Sequence, residues 1–222
     1  MNAHSQTLTL PGSLPLDGGG ELTRVELAFE TYGELNADRS NAILLCHALT
    51  GDQYVASPHP ITGKPGWWER MVGPGKPIDT NRFHIICANV IGSCMGSTGP
   101  ASEASDGHPY AMRFPVITIR DMVRAHIGLL DMLDIETLHA VVGGSMGGMQ
   151  ALTWAVQYPD QVDAIIPIAS THALHPQGVA WNAIARNAIT ADPDWQDGNY
   201  YGTGRAPTAG MGVARMVGHI TY

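Results

Sequence analysis

The stretch that most constrains this chain is Val141-Val142-Gly143-Gly144-Ser145-Met146-Gly147-Gly148-Met149-Gln150. A short β-branched run ends in Gly-x-Ser-x-Gly, and Ala151, Leu152, Trp154, Ala155 and Val156 continue with helical character. Strand, tight turn and helix is the context that lifts a serine hydroxyl above a sheet. Such a turn holds the serine in a strained backbone conformation, so its neighbours must be tiny. Gly143 and Gly147 flank Ser145 for that reason, and Gly144 and Gly148 are expected to relax the packing further. The plainer alternative is a glycine-rich turn with an incidental serine. The strand before and the helix after favour a nucleophile, placed where the helix dipole stabilises developing negative charge.

The other strands follow from apolar runs. Thr7 to Leu10 reads as an edge strand, hairpinned to Arg24 to Tyr32, whose polar/apolar alternation predicts a half-buried antiparallel strand. Ala42 to Cys46, Phe83 to Val90 and His139 to Val142 are continuously apolar, as strands covered on both faces are. Val162 to Ala169 is a fourth such run, with Pro167 marking an end or an edge. Thr118 and Asp121 form a capping-box pattern ahead of Ile119, Met122, Val123, Ile127, Leu130 and Leu133, an apolar helical stripe. His126 falls on that stripe and reads as a core histidine. A short helix is expected around Trp67 to Met71. Strand and helix alternate from residue 42, which predicts a mostly parallel α/β sheet with helices on both faces and functional groups at the carboxyl ends of its strands. From Pro176 the pattern becomes two helices with no strand between, a helical lid. The expected organisation is a core over residues 1–175 and the beginning of a lid over 176–222.

Composition narrows the partners. Twelve basic against twenty acidic residues give a net charge of −8, with no basic cluster, which argues against nucleic acid or an anionic membrane surface. No apolar run is long enough to span a bilayer, and the first residues lack the pattern of a signal peptide. Three irregularly spaced cysteines, Cys46, Cys87 and Cys94, suit buried reduced thiols in a cytoplasm. The glycine-dense run Gly92 to Pro100 lacks the Gly-Lys-Ser/Thr of a phosphate loop, so nucleotide binding is rejected. No metal site is expected.

A serine hydroxyl needs a histidine base, usually oriented by an acid, and two backbone donors for the oxyanion. The donors expected here are the amides of Met146, after the serine, and Leu49, in the His47 to Asp52 loop after the first buried strand. In a sheet of this kind the acid follows the second strand after the nucleophile and the histidine the third. Only one strand follows Ser145. His172, His175 and His219 occupy none of the required places, so acid and base are expected to be absent from this chain. It reads as the front part of a longer enzyme lacking its last core strands, and inactive alone.

Tyr32-Gly33-Glu34-Leu35-Asn36, Cys46 to Gly51, Gly92 to Pro100, Gly143 to Gln150 and Ala214 to Tyr222 together resemble the homoserine O-acyltransferases of the α/β-hydrolase superfamily, over nearly the whole chain. The resemblance implies the α/β-hydrolase fold and transfer of an acetyl or succinyl group from acyl-CoA to the hydroxyl of L-homoserine, in methionine biosynthesis. It implies ping-pong chemistry through acyl-Ser145, with no permanently bound cofactor and acetyl-CoA or succinyl-CoA as co-substrate. It also implies homoserine binding by Arg215 and Tyr222, seven residues apart on one helix face, and a cytoplasmic homodimer at full length. The competing readings are a serine esterase of the same fold and a non-catalytic binding fold.

Overall fold

The computed structural model describes residues 4–221. By their packing, these fall into two compact units: the residues up to Gly99 together with Pro115–Thr171, and Pro100–Phe114 together with the residues from His172 on.

The first unit begins with β1 (His4–Thr9), a two-stranded ribbon of β2 (Leu14–Pro15) and β3 (Glu21–Leu22), and β4 (Glu26–Tyr32). β5 (Ala42–Cys46) follows, then a long loop interrupted by the two-residue strands β6 (Val72–Gly73) and β7 (Ile78–Asp79), then β8 (His84–Ala88). Helix α1 (Ile119–Met132), β9 (Ala140–Gly144), α2 (Met146–Gln157) and β10 (Ile165–Ile168) complete it. The main sheet has the order β1-β4-β8-β5-β9-β10. Its last four strands are parallel, whereas β1 and β4 run antiparallel to their neighbours.

Register explains why the central strands read as unbroken apolar runs. Ile43 lies beside Ile85 and Ala140, and Leu45 beside Cys87 and Val142. These six, with Tyr32, form one sheet face, packed against Val55, Ala56 and Val72 with Trp68, Met71, Ile78 and Phe83 around them. The intervening residues, including Leu44, Ile86 and Val141, are equally buried and point to the other face. α1 and α2 pack on each other, and α2 packs on β5, β9 and β10. Within the first unit the expectation of helices on both faces is not met: the residue 53–83 loop fills one face. The expected helix at Trp67 to Met71 is a run of turns within that loop. A Cβ at Gly66 would lie 2.5 Å from the Ala56 amide nitrogen, so the chain there is held against its own earlier backbone.

β4 corrects a second expectation. It is buried along nearly its whole length, because β1 and β8 flank it and its polar side chains have internal partners. Glu30 accepts hydrogen bonds from the hydroxyls of Tyr32 and Ser57, and the amides of Ala56 and Ser57 donate to the Tyr32 oxygen. Burial, then the neighbouring Glu30, pushes the Tyr32 hydroxyl well above its usual range. Thr98 and Ser97 extend the same economy. Their hydroxyls accept from the amides of Glu26 (2.8 Å) and Ala28 (3.0 Å), docking the 89–98 loop beside β4. Cys46 and Cys87 are buried as expected, while Cys94 is exposed.

The second unit holds α3 (Pro176–Thr190) and α4 (Thr208–Thr221), which pack on each other. A Cβ at Gly210 would meet the Ala188 carbonyl at 2.3 Å, so glycine permits the close approach. Asp192 caps the connection, accepting from the amides of Asp194 (2.9 Å) and Gly210 (2.8 Å). Residues 100–114, expected to belong to the core, group with these helices. Met112 lies under Gly198, and the stretch is tied by the Arg113–Asp106 ion pair.

Thr118 opens α1 with the capping box read from the sequence, its hydroxyl accepting from the Asp121 amide while the Asp121 carboxylate accepts from the Thr118 amide. His126 is only 1% exposed, and neither ring nitrogen has a partner among the described residues. Burial first, then the nearby His47, lowers its pKa from 6.5 to about 3. The unfolded chain therefore binds a proton below pH 6.5 that the folded chain refuses, and stability falls as pH drops from 6.5 towards 3. Urea titrations at pH 7 and pH 5 should show the wild type losing about 2 kcal/mol more than His126→Leu, because 1.5 pH units of uncompensated protonation are removed with the imidazole. Equal losses would show that His126 does not contribute to the acid limb.

Candidate active site

The site is built at the carboxyl ends of β5, β8, β9 and β10. Ser145 lies between β9 and α2 with φ 54° and ψ −119°, a conformation that L-residues rarely adopt. The surrounding packing leaves the chain little choice. A Cβ on Gly147 would come within 2.0 Å of the Cys46 carbonyl oxygen, and one on Gly143 within 2.3 Å of the Gly147 carbonyl. The elbow is thus pressed directly against the end of β5. Gly148 is tight as well, its added Cβ meeting that of Ser170 at 2.5 Å, so it permits an approach and does not loosen the turn. Gly144 alone has room, with nothing nearer than 4.0 Å.

Ser145 caps α2 by position only. Its side chain makes no capping bond, and its hydroxyl has no partner among the described residues. The main chain is well tied: the Ser145 amide donates to the Ile168 carbonyl (3.0 Å), and its carbonyl accepts from the Ser170 hydroxyl (2.8 Å) and the amides of Gly148 (3.0 Å) and Met149 (3.2 Å). The Met146 amide, first of the helix, donates to no group among the described residues.

The loop after β5 holds Leu49, the other expected donor. The Gly51 amide donates to the Ala48 carbonyl (2.9 Å), closing a turn with Leu49 at its second position and the Leu49 amide unused. His47 latches this turn to the neighbouring strand end. Its Nε2 accepts from the Val90 amide (3.1 Å), which leaves the proton on Nδ1 to donate to the Ala48 carbonyl (2.7 Å). Burial lowers the His47 pKa, consistent with a neutral ring in both roles. Gln53 adds a second tie, donating from Nε2 to the Met95 carbonyl (3.0 Å). Asp52 receives the Tyr54 amide (2.9 Å) and faces His59 Nε2 at 3.2 Å.

Of the residues expected to act, Ser145, Leu49 and Met146 share the first unit, at adjoining strand ends. Arg215 belongs to the second unit, on α4, exposed and with no ion pair among the described residues. Tyr222 lies outside the described residues. The latching role of His47 was not read from the sequence, although a histidine directly after a fully apolar strand was its visible sign.

A family model for the alpha/beta hydrolase fold matches residues 41–222. The chain belongs to that family. It is 62% identical over 216 residues to a homoserine O-acetyltransferase of Zymomonas mobilis, covering 97% of this chain and 58% of that protein. Among solved structures it resembles a homoserine O-acetyltransferase from Bacillus anthracis, with a TM-score of 0.91 and 33% identity over 99% of this chain and 60% of that one. It also resembles esterase E22, with a TM-score of 0.89 and 33% identity over 97% of this chain and 60% of that one. The chain therefore spans somewhat over half the length of the relatives it matches.

The glycines of the elbow give a direct test of this packing. Gly147→Ala drives a methyl into backbone and is expected to cost at least about 1–3 kcal/mol. Gly144→Ala enters open space and should stay within about 0.5 kcal/mol of wild type. Equal midpoints for the two variants in chemical denaturation would overturn the assignment of Gly147 as the contact that fixes the turn.

Proposed function

We propose that this chain provides the nucleophile and oxyanion donors of a homoserine O-acyltransferase that works by a ping-pong mechanism. The observation that carries the reading is Ser145 in a left-handed, glycine-enclosed turn between β9 and α2, with unused amides at Leu49 and Met146. The 62% identity to a homoserine O-acetyltransferase supports the substrates, L-homoserine and acetyl-CoA, with succinyl-CoA the alternative donor.

In the first half-reaction Ser145 Oγ attacks the thioester carbonyl. The new C–O bond forms, the Leu49 and Met146 amides stabilise the oxyanion, and the C–S bond breaks as coenzyme A leaves with the serine proton. In the second, the homoserine hydroxyl attacks the acyl-Ser145 carbonyl, giving O-acylhomoserine and free serine. Both steps need a base, and Ser145 Oγ has no histidine partner among the described residues. The activity is therefore assigned to a polypeptide of the relatives' length, with these 222 residues inactive by themselves. Esterase E22 supports a second reading, in which water deacylates Ser145.

The experiment uses a polypeptide of that length, mixed with acetyl-CoA. Intact-mass measurement should show one acetyl adduct on wild type and none on Ser145→Ala, which is small enough for the turn and should fold normally. Homoserine should discharge the adduct faster than water does. Discharge by water alone at the same rate favours the hydrolase, and an equal adduct on the alanine variant removes Ser145 from the mechanism.

Arg215 is proposed to hold the homoserine carboxylate through two parallel hydrogen bonds, and Tyr222 is proposed as a second homoserine-binding residue. Lysine keeps the charge but loses the planar two-point contact. Arg215→Lys should raise the KM for homoserine roughly ten- to a hundredfold, while the acyl-enzyme burst from acetyl-CoA stays near wild type. Unchanged homoserine kinetics would make Arg215 a surface charge. Loss of the burst would move it to the coenzyme A site. The homodimer and the cytoplasmic location implied by the resemblance are likewise proposals. No helix among the described residues is long and apolar enough to cross a membrane.

A further inference from the structure

We propose that Ser170 is a positioning residue for the nucleophile, its hydroxyl holding the Ser145 backbone in the strained conformation that presents Oγ. The parallel register of β9 and β10 pairs Gly144 with Ile168, so Ser145 and Ala169 are the next residues on adjoining strands. Both leave the sheet with positive φ, 54° at Ser145 and 47° at Ala169, and neither is glycine. Two adjacent non-glycine residues in a conformation that costs each of them free energy must be held there by their surroundings.

The surroundings are two hydrogen bonds to one residue, from the last residue of β10 and from the turn that follows it. Ile168 takes the Ser145 amide at its carbonyl (3.0 Å), and Ser170 gives its hydroxyl to the Ser145 carbonyl (2.8 Å). The amide and carbonyl of the strained residue are thereby pinned from the same neighbour, on either side of its φ and ψ. The left-handed turn at Ala169 is what swings Ser170 back over the elbow. Gly148 makes room for it, since any Cβ there would overlap the Ser170 side chain.

The Ser145 carbonyl also takes the amides of Gly148 and Met149, so losing Ser170 leaves the first helical turn in place. What is lost is the bond that comes from outside the helix. Without it the Ser145 carbonyl is held by the helix amides alone, its ψ is less restrained, and both Oγ and the adjoining Met146 amide shift. Ser170 thus acts on the nucleophile and its oxyanion donor through the backbone, without touching substrate.

This inference rests on the reading of Ser145 as nucleophile, and the test separates the two. A polypeptide of the relatives' length is treated with a fluorophosphonate, and labelling of Ser145 is followed by mass spectrometry for wild type, Ser170→Thr and Ser170→Val. Threonine and valine are nearly isosteric and differ in the hydroxyl. Ser170→Thr should label within about twofold of wild type, and Ser170→Val about tenfold more slowly, the upper end of what a single lost hydrogen bond gives. Melting temperatures of the Thr and Val variants should agree within a few degrees. Ser170→Ala, with no added methyl groups, should be slowed like the valine variant if crowding prevents the larger pair from folding. Valine or alanine variants that label as fast as threonine or wild type overturn the proposal. Wild type that labels no faster than the urea-unfolded chain overturns the nucleophile reading itself, and this inference with it.

Discussion

The contact on which the rest depends is the approach of Gly147 to the carbonyl oxygen of Cys46. It leaves no space for a side chain, so α2 starts where β5 ends, and the residue just before the helix must turn through positive φ. A serine at that residue has its hydroxyl lifted clear of the sheet. The strain is local, but its restraint is spread over β5 from below, β10 from the side and the first turn of α2 from above. A site fixed by backbone contacts from three elements keeps its geometry without help from the substrate, which is what an oxyanion site requires.

The loops around the elbow are fastened by the same economy of buried polar groups. His47 links the turn that carries Leu49 to the end of β8, and Gln53 links the following residue stretch to the glycine-rich loop at Met95. Ser97 and Thr98 fasten that loop to β4 by accepting backbone amides that no strand partner takes. Each bond contributes about 0.5–1.5 kcal/mol, but leaving its buried donor unpaired would cost more. The consequence is that the ends of β4, β5 and β8 form one connected floor beneath the candidate site. Glu30, Tyr32 and Ser57 do the same for the opposite face, which no helix of the first unit covers.

How much of this was legible in the sequence follows from the range of the interactions. The central strands, the Thr118 capping box and the elbow were legible because each is coded within a few residues by apolar runs, cap chemistry and glycine spacing. The Arg24 to Tyr32 alternation misled, since Glu30 looks like a solvent-facing residue until the hydroxyl of Ser57, distant in sequence, accounts for its burial. The Trp67 to Met71 stretch has helical spacing but is claimed by backbone contacts to residues 54–56. The 100–114 stretch lies between core elements in the chain yet belongs to the unit of α3 and α4, Met112 meeting Gly198, which no local pattern records.

By itself the sequence determined a mostly parallel α/β sheet, the glycine-flanked turn that makes Ser145 the candidate nucleophile, the two amides proposed for an oxyanion and a resemblance to homoserine O-acyltransferases, because short-range spacing carries all of these. Only the tertiary structure decided the register that sets Ala169 beside Ser145, the latch from His47 to Val90, and the reach of Ser170 to the Ser145 carbonyl. Those are contacts between strand ends joined by long connections. Their geometry depends on strand order and on where each chain is allowed to turn, and neither quantity is written in any single stretch of residues.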